Sequence, residues 1–189
     1  KALSILRKAD LVDISWEIMP WGAEHWLKHG RMMPPDALKI LEQFDAIYVG
    51  ATGDPRVPDP VTSGLILDVR FGFDQYINLR PIRLLPGIEC PLRGRTAKDI
   101  DFVVVRENTE GEYIGMGGRF KKGTPDETAV QVSLFTRKGT ERAIRYAFEL
   151  AKSRKRFSDR KPSVTNCSKS NVLNYSMQFW DAVFADVAA

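Results

Sequence analysis

The hydrophobic pattern changes period repeatedly along this chain, and that switching constrains the fold more than any single residue does. From Val12 to Ile18, apolar Val12, Ile14, Trp16 and Ile18 alternate with Asp13, Ser15 and Glu17, the period of a half-buried strand. Pro34-Pro35-Asp36 then starts a helix in which Leu38, Leu41 and Phe44 share a stripe, proline being tolerated in a first turn. Ala46 to Thr52 is a short apolar run containing Gly50, consistent with a buried parallel strand, and Pro55, Pro58 and Pro60 force a loop after it. A helix carrying Arg70 follows from about Thr62 to Tyr76. Strands are expected at Ile82 to Leu85, Phe102 to Val105 and Val130 to Leu134. Ile144, Ala147, Phe148 and Ala151 mark one face of a long basic helix; Ser163 to Cys167 reads as a strand leading to Lys169, and Val172 to Val187 as a closing helix. Strand and helix alternate early and strand-rich stretches come later. This order predicts an α/β chain of two lobes joined near residue 76, the first over residues 1–76 and the second over 77–189.

Composition narrows the class of protein. The 189 residues could bury one sizeable core or two modest ones. No apolar run approaches the roughly 20 residues needed to span a bilayer, and the basic N-terminus lacks a signal-peptide core and cleavage site. Two cysteines, Cys90 and Cys167, form neither a disulfide framework nor a metal-binding pair, which fits a reducing cytoplasm. The sequons at Asn166 and Asn174 are read as chance matches. A net charge of +4 with both signs interspersed points to a solvated face plus an anion pocket, and no nucleic-acid or membrane partner is expected.

Several weaker motifs have simpler explanations. His25 and His29 stand four apart, a spacing that can bind a metal on a helix, but cations flank them and no carboxylate follows at a useful distance. Gly50, Gly53, Gly115, Gly117 and Gly118 do not form a dinucleotide-binding turn between strand and helix. Arg154-Lys155-Arg156 reads as the polar end of a helix whose dipole favours cations there. Trp16, Trp21, Trp26 and Trp180 read as core or interface residues.

The chemistry-bearing residues lie in V-R-F-G-F-D-Q-Y-I-N-L-R-P, V-V-V-R-E-N-T-E-G-E-Y and C-S-K-S-N-V-L. Arg70, Arg80 and Arg106 are fork-shaped donors suited to gripping carboxylates bidentately. Tyr113 and Lys169 add groups that can exchange protons. Arg80 precedes Pro81, which disfavours helix and suggests an extended entry into the second lobe. Together these residues outline a site for a small polycarboxylate.

These segments, with H-G-R-M-M-P, F-D-A-I-Y-V-G-A-T-G-D-P and F-T-R-K-G-T-E-R-A-I-R-Y-A-F-E-L-A, resemble the β-decarboxylating dehydrogenases, and in whole-chain similarity their tartrate and D-malate branch. The resemblance implies a two-lobed fold like that of isocitrate and isopropylmalate dehydrogenases, incomplete in this chain. It implies that Arg70, Arg80 and Arg106 bind the carboxylates of a 2-hydroxy acid, with Mg2+ or Mn2+ chelating the hydroxyl as Lewis acid. Lys169 would take the hydroxyl proton while hydride passes to NAD, and Tyr113 would protonate the enolate left after loss of CO2. Asn171 would help place the nicotinamide. In the family the lysine comes from the partner subunit, so a homodimer is implied, with its strands in the second lobe. Metal ligands are expected downstream of Ala189 rather than in this chain, which on this reading is about half an enzyme and inactive by itself.

The same resemblance assigns the 3-substituent pocket to Ser63, Ile66, Leu67 and, from the partner, Val172. Ser63 stands where the tartrate and D-malate branch usually has tryptophan, whereas Ile66, Leu67 and Val172 resemble the apolar lining of isopropylmalate enzymes. NAD-dependent oxidative decarboxylation of tartrate or D-malate is therefore the expected activity, with 3-isopropylmalate as the alternative substrate. A noncatalytic regulatory subunit is a further rival, disfavoured because tyrosine and lysine are both present.

Overall fold

The computed structural model describes residues 13–154 and 161–189. The chain divides into two compact units, Lys1–Val69 and Arg70–Ala189.

In the first unit, helix α1 (Ala23–His29) ends at Gly30, whose left-handed φ of 69° lets its N–H turn back to the Trp26 carbonyl at 2.7 Å. His25 Nδ1 donates to the Arg31 carbonyl at 2.6 Å and its ring lies 4.5 Å from that of His29, so the histidine pair serves this turn. Helix α2 (Ala37–Leu41) buries Ala37 and Leu41, while Phe44 falls in the turn beyond it and stays exposed. Met32, Val57 and Val69 are buried too. Arg56 bonds Asp54 and Glu24 and so ties the loop before helix α3 (Asp59–Gly72) to α1.

Among the described residues, two expected strands of this unit do not form. Residues 13–20 and 46–52 are irregular, and Ile18, Tyr48 and Val49 are exposed; Val12 lies outside the described residues. An apolar pattern shows that a segment could be buried in a sheet. A strand also needs neighbours to satisfy its N–H and C=O groups, and among the described residues neither segment has one.

The second unit is built on antiparallel strands β1 (Ile77–Arg83) and β2 (Asp101–Glu107), paired from Ile77↔Glu107 to Arg83↔Asp101. β1 begins earlier than its apolar residues suggest because Asn78 and Arg80 occupy one of its faces. Pro81 fits there because the strand has a single neighbour, so an unused edge can accommodate the missing N–H. Strands β3 (Gly117–Phe120) and β4 (Thr128–Gln131) form a separate antiparallel hairpin with every residue exposed. The expected strand through Leu134 stops at Gln131; Leu134 makes only an isolated bridge to Gly111.

Helix α4 (Arg137–Ser153) starts at Thr136, whose Oγ1 accepts the Gly139 N–H at 2.9 Å. It packs on β2 and on helix α5 (Ser176–Ala188), burying Thr140, Ala143, Ile144 and Val183. Phe148 meets Phe184 at 5.5 Å, and Phe135 stands edge-on to Trp180 at 6.3 Å. Arg154 pairs with Asp101 at 2.6 Å and so holds the end of α4 to β2, a more specific role than the dipole complement expected; Lys155 and Arg156 lie outside the described residues. Residues 163–167 are irregular rather than a strand, and the last helix begins at Ser176 because Val172 to Tyr175 form turns. Among the described residues no helix is long and apolar enough to cross a membrane.

Val183 is fully buried between α5 and its neighbours. Val183→Ala should lower the stability of the chain by about 1.5–3 kcal/mol through lost transfer energy and a residual cavity. Urea denaturation is the check. An unchanged midpoint would show that this contact lies outside the cooperative unit.

Candidate active site

The β1–β2 register brings two of the three arginines onto one surface. Asn78 is paired with Arg106 and Arg80 with Val104, and side chains alternate faces along each strand. Arg80 and Arg106 are therefore diagonal neighbours on the same sheet face, within reach of one small anion. Arg70 comes from the last turn of α3.

Tyr113 joins this group from a short 3-10 turn, Glu112–Ile114, set between Gly111 (φ 73°) and Gly115 (φ 71°). The turn is pinned on both sides. Gly111 and Leu134 exchange backbone hydrogen bonds at 2.8 and 3.3 Å, Ser133 Oγ donates to the Glu112 carboxylate at 2.8 Å, and Gln131 Nε2 donates to the Glu112 carbonyl at 2.9 Å. The Arg70 and Arg106 guanidiniums lie 5.1 and 4.9 Å from the centre of the Tyr113 ring. An electron-rich ring face attracts each cation and offsets part of their mutual repulsion. Arg70 Nη1 is buried without a hydrogen-bond partner. Among the described residues, Arg70, Arg80 and Arg106 enter no salt bridge, unlike Arg56, Arg119, Arg137, Arg142, Arg145 and Arg154. A buried cationic donor left unpaired is unfavourable unless an anion completes it.

Arg80 is steadied from within its own strand. Its Nε donates to Asn78 Oδ1 at 3.1 Å, Asn78 Nδ2 reaches Asn108 Oδ1 at 3.5 Å, and Asn108 Nδ2 donates to the Gln75 carbonyl at 3.1 Å. Asn108 is buried and its N–H also donates to the Tyr76 carbonyl, so it staples the start of β1 to the end of β2. The following turn is fixed by carboxylates. Glu107 accepts from Thr109 N, Thr109 Oγ1 and Glu110 N, while Glu110 accepts from the backbone and hydroxyl of Thr136. A Cβ on Gly139 would meet the Glu110 carboxyl, so a larger residue at that point of α4 would have to displace this carboxylate. Arg142 closes the frame: it donates to both Asp74 oxygens at 2.6 and 2.9 Å and to Thr109 Oγ1, and lies 4.2 Å from the Tyr76 ring centre.

Lys169, Asn171 and Val172 belong to a different segment, the exposed turn before α5, where the Lys169 carbonyl accepts from Val172 N and Leu173 N. Ser63, Ile66, Leu67 and Arg70 lie along α3 at helical spacing i, i+3, i+4 and i+7, the spacing of one stripe. The Ser63 hydroxyl donates to the Asp59 carbonyl of its own helix, Leu67 is half-buried, and Ile66 and Val172 are exposed. Among the described residues no group of three or more His, Cys, Asp or Glu could hold a metal ion.

The isocitrate/isopropylmalate dehydrogenase family profile matches residues 1–189. This chain belongs to that family. It is 52% identical over 171 residues to the D-malate dehydrogenase [decarboxylating] of Escherichia coli K12, covering 89% of this chain and 46% of that protein. It is 48% identical over 176 residues to a probable tartrate dehydrogenase/decarboxylase of Agrobacterium vitis, covering 93% and 48%. Among solved structures, isocitrate dehydrogenase from Methylococcus capsulatus superposes with a TM-score of 0.74 at 26% identity, covering 99% of this chain and 52% of that one. The α/β fold is thus that of the isocitrate/isopropylmalate dehydrogenases, and the chain spans about half the length of the curated relatives it matches.

For this family member, sequence reasoning found the cations and missed what holds them. Asn78 and Asn108 sit inside the quoted motifs I-N-L-R-P and R-E-N-T, so the motifs held the signal without showing its meaning. Arg142 gave no signal beyond a basic helix. The Arg142 guanidinium, through its hydrogen bonds, holds the Asp74 carboxyl below the usual aspartate value. An aspartate with a lowered folded-state pKa stabilises the fold above its unfolded value of about 3.9, and loses that contribution as pH falls through the folded value. The melting temperatures of the unmodified chain and Asp74→Asn should therefore differ most near neutral pH and converge under acid. A gap that persists unchanged well below pH 3 would rule out this ion pair as its cause.

Proposed function

We propose that the protein carrying this chain catalyses NAD-dependent, metal-dependent oxidative decarboxylation of a D-malate-type 2-hydroxy dicarboxylic acid, tartrate or D-malate. The observation that carries this reading is the pair of guanidiniums on the Tyr113 ring, with Arg70 Nη1 buried and unpartnered. Two cations held together without carboxylate partners make a receptor for a small dianion. The names of the relatives supply the substrate class, D-malate and tartrate.

In this mechanism Arg70, Arg80 and Arg106 bind and orient the two carboxylates. Lys169, acting in the partner's site of a homodimer, accepts the C2 hydroxyl proton. Asn171 would help hold NAD, which when bound would supply the acceptor for the C2 hydride. The bond between C3 and its carboxylate then breaks, CO2 leaves, and the electron pair passes into an enolate whose charge the guanidiniums stabilise. Tyr113 delivers the proton to C3. The described residues offer no donor set for the divalent cation that the family resemblance implies, so no step here runs through it. A cytoplasmic location, read from the cysteine usage, is part of the same proposal.

One observation favours a second substrate class. Ser63 turns its hydroxyl into its own helix, leaving Ile66 and Leu67 as an apolar stripe leading to Arg70, which suits a 3-alkylmalate such as 3-isopropylmalate.

Lys169→Met and Tyr113→Phe should separate the steps in the full-length protein. The lysine variant should lose hydroxyl oxidation and the tyrosine variant mainly the proton transfer after decarboxylation, each by about 10²–10⁴-fold. Steady-state NADH production combined with single-turnover CO2 release distinguishes them, and near-full turnover by either variant would refute its assignment. Ser63→Trp should reduce kcat/KM for the bulkiest 3-alkylmalate while sparing D-malate, because an apolar pocket discriminates single methylenes by only about 1–3 kcal/mol unless it is blocked. If the ratio of the two constants does not move, Ser63 does not line the pocket.

A further inference from the structure

Lys169 carries the proton transfer in the reading above, yet it lies in an irregular segment and is itself exposed. A long flexible side chain on an irregular segment needs something to fix its backbone.

The side chains around it supply that. Asn166 Nδ2 donates to Asp181 Oδ1 at 2.6 Å, and hydrogen bonding from Ser170, Ser168 and Asn166 holds the Asp181 carboxyl below the usual aspartate value. The two hydroxyls lie 3.4 Å apart. Three alternate residues, 166, 168 and 170, thus converge on one carboxylate of α5. Cys167, Lys169 and Asn171, the residues between and beyond them, are all exposed. The backbone turns at 170–172, where the Lys169 carbonyl accepts from Val172 N and Leu173 N, and Ser168 is exposed as well, so the tie to α5 fixes the backbone on either side of Lys169 and leaves its side chain in solvent.

The anchor itself is rigidly oriented. Trp180 Nε1 donates to Asn166 Oδ1 at 2.9 Å, and because an indole N–H can only donate, the amide nitrogen of Asn166 must face Asp181. Trp180 is packed edge-on by Phe135, and Val183, one turn away on the same helix, is fully buried.

We propose that Asp181 is a positioning residue: by gathering Asn166, Ser168 and Ser170 onto α5, it holds in place the backbone that flanks Lys169 while the Lys169 and Asn171 side chains stay exposed. The inference rests on Lys169 being the base. It assigns Asp181 no contact with substrate.

The test uses the full-length protein with D-malate, NAD and Mn2+, and compares Asp181→Ala, Asp181→Asn, the double variant Ser168→Ala/Ser170→Ala, and Lys169→Met. Loosening the segment should lower kcat of the Asp181 variants roughly 10- to 100-fold while KM stays within about threefold, since the arginines that bind the carboxylates are untouched. Backbone amides of residues 166–171 should exchange with deuterium faster in these variants, while those of β2 and α4 keep their protection. The serine double variant, which leaves α5 unaltered, should show a smaller effect of the same kind, and it serves as the measure if Asp181→Ala fails to fold. Unchanged kcat and unchanged exchange in Asp181→Asn, with Lys169→Met inactive, would overturn this inference and leave the lysine's role standing. A fully active Lys169→Met would overturn the lysine's role itself. Losses in kcat and KM together, with protection lost throughout α4, would reduce Asp181 to a general stabilising residue and also overturn the proposal.

Discussion

Asn78 stands opposite Arg106 in the β1–β2 ladder, and the positions of both sheet arginines follow from that pairing. A slip of one residue would move Arg80 to the other face from Arg106, since side chains alternate with a period of two. A two-stranded ladder is only marginally stable alone. Its register must therefore be enforced from outside, and three features do so: Asn108 bonding back to the 75–76 segment, α4 packed on β2, and Arg142 bridging Asp74 to Thr109. None of these touches the anion site. All of them decide where its cations stand.

The second constraint is repulsion. Bringing guanidiniums together is unfavourable unless the charge is answered, and in this unit the available carboxylates are used elsewhere. Glu107 and Glu110 are taken up by the Thr109 and Thr136 turns, Asp74 by Arg142 and Asp101 by Arg83 and Arg154. What remains beside Arg70 and Arg106 is the face of Tyr113, which attracts cations without neutralising them. Aspartate or glutamate at position 113 would pair the arginines and close the site to an anionic ligand. A tyrosine keeps them charged and close together while contributing a hydroxyl of its own.

The sequence revealed the parts of the fold that depend on local pattern. The helix containing Ile144 was legible because its apolar residues recur at helical spacing, and the core of β2 because Val103 to Val105 are β-branched. The segments at 13–18 and 46–52 were misread because an apolar pattern records a capacity to pair and not the presence of a partner. β3 was missed because G-G-R-F offers no alternation to read. In the site, residue types announced the cations and Tyr113, since arginine clusters have few other uses. Asn78, Asn108 and Arg142 act through hydrogen bonds to residues some thirty or more positions away, and no local pattern encodes such a contact.

The same division separates the two halves of the candidate site. The arginine and tyrosine side chains are organised by the ladder and by the turn at Gly111, whereas Lys169 is organised by α5 through Asn166, Ser168 and Ser170. One chain thus carries Arg80, Arg106 and Tyr113 on one support and Lys169 on another. A reaction performed by a lysine and arginines of the same subunit would favour direct bonds locking the two halves together. A reaction in which each subunit lends its lysine to a partner needs the opposite: a lysine held firmly by its own helix, exposed, and free of its own arginines. The hydrogen bonds around Lys169 are of that second kind, and they support the homodimer of the proposed function.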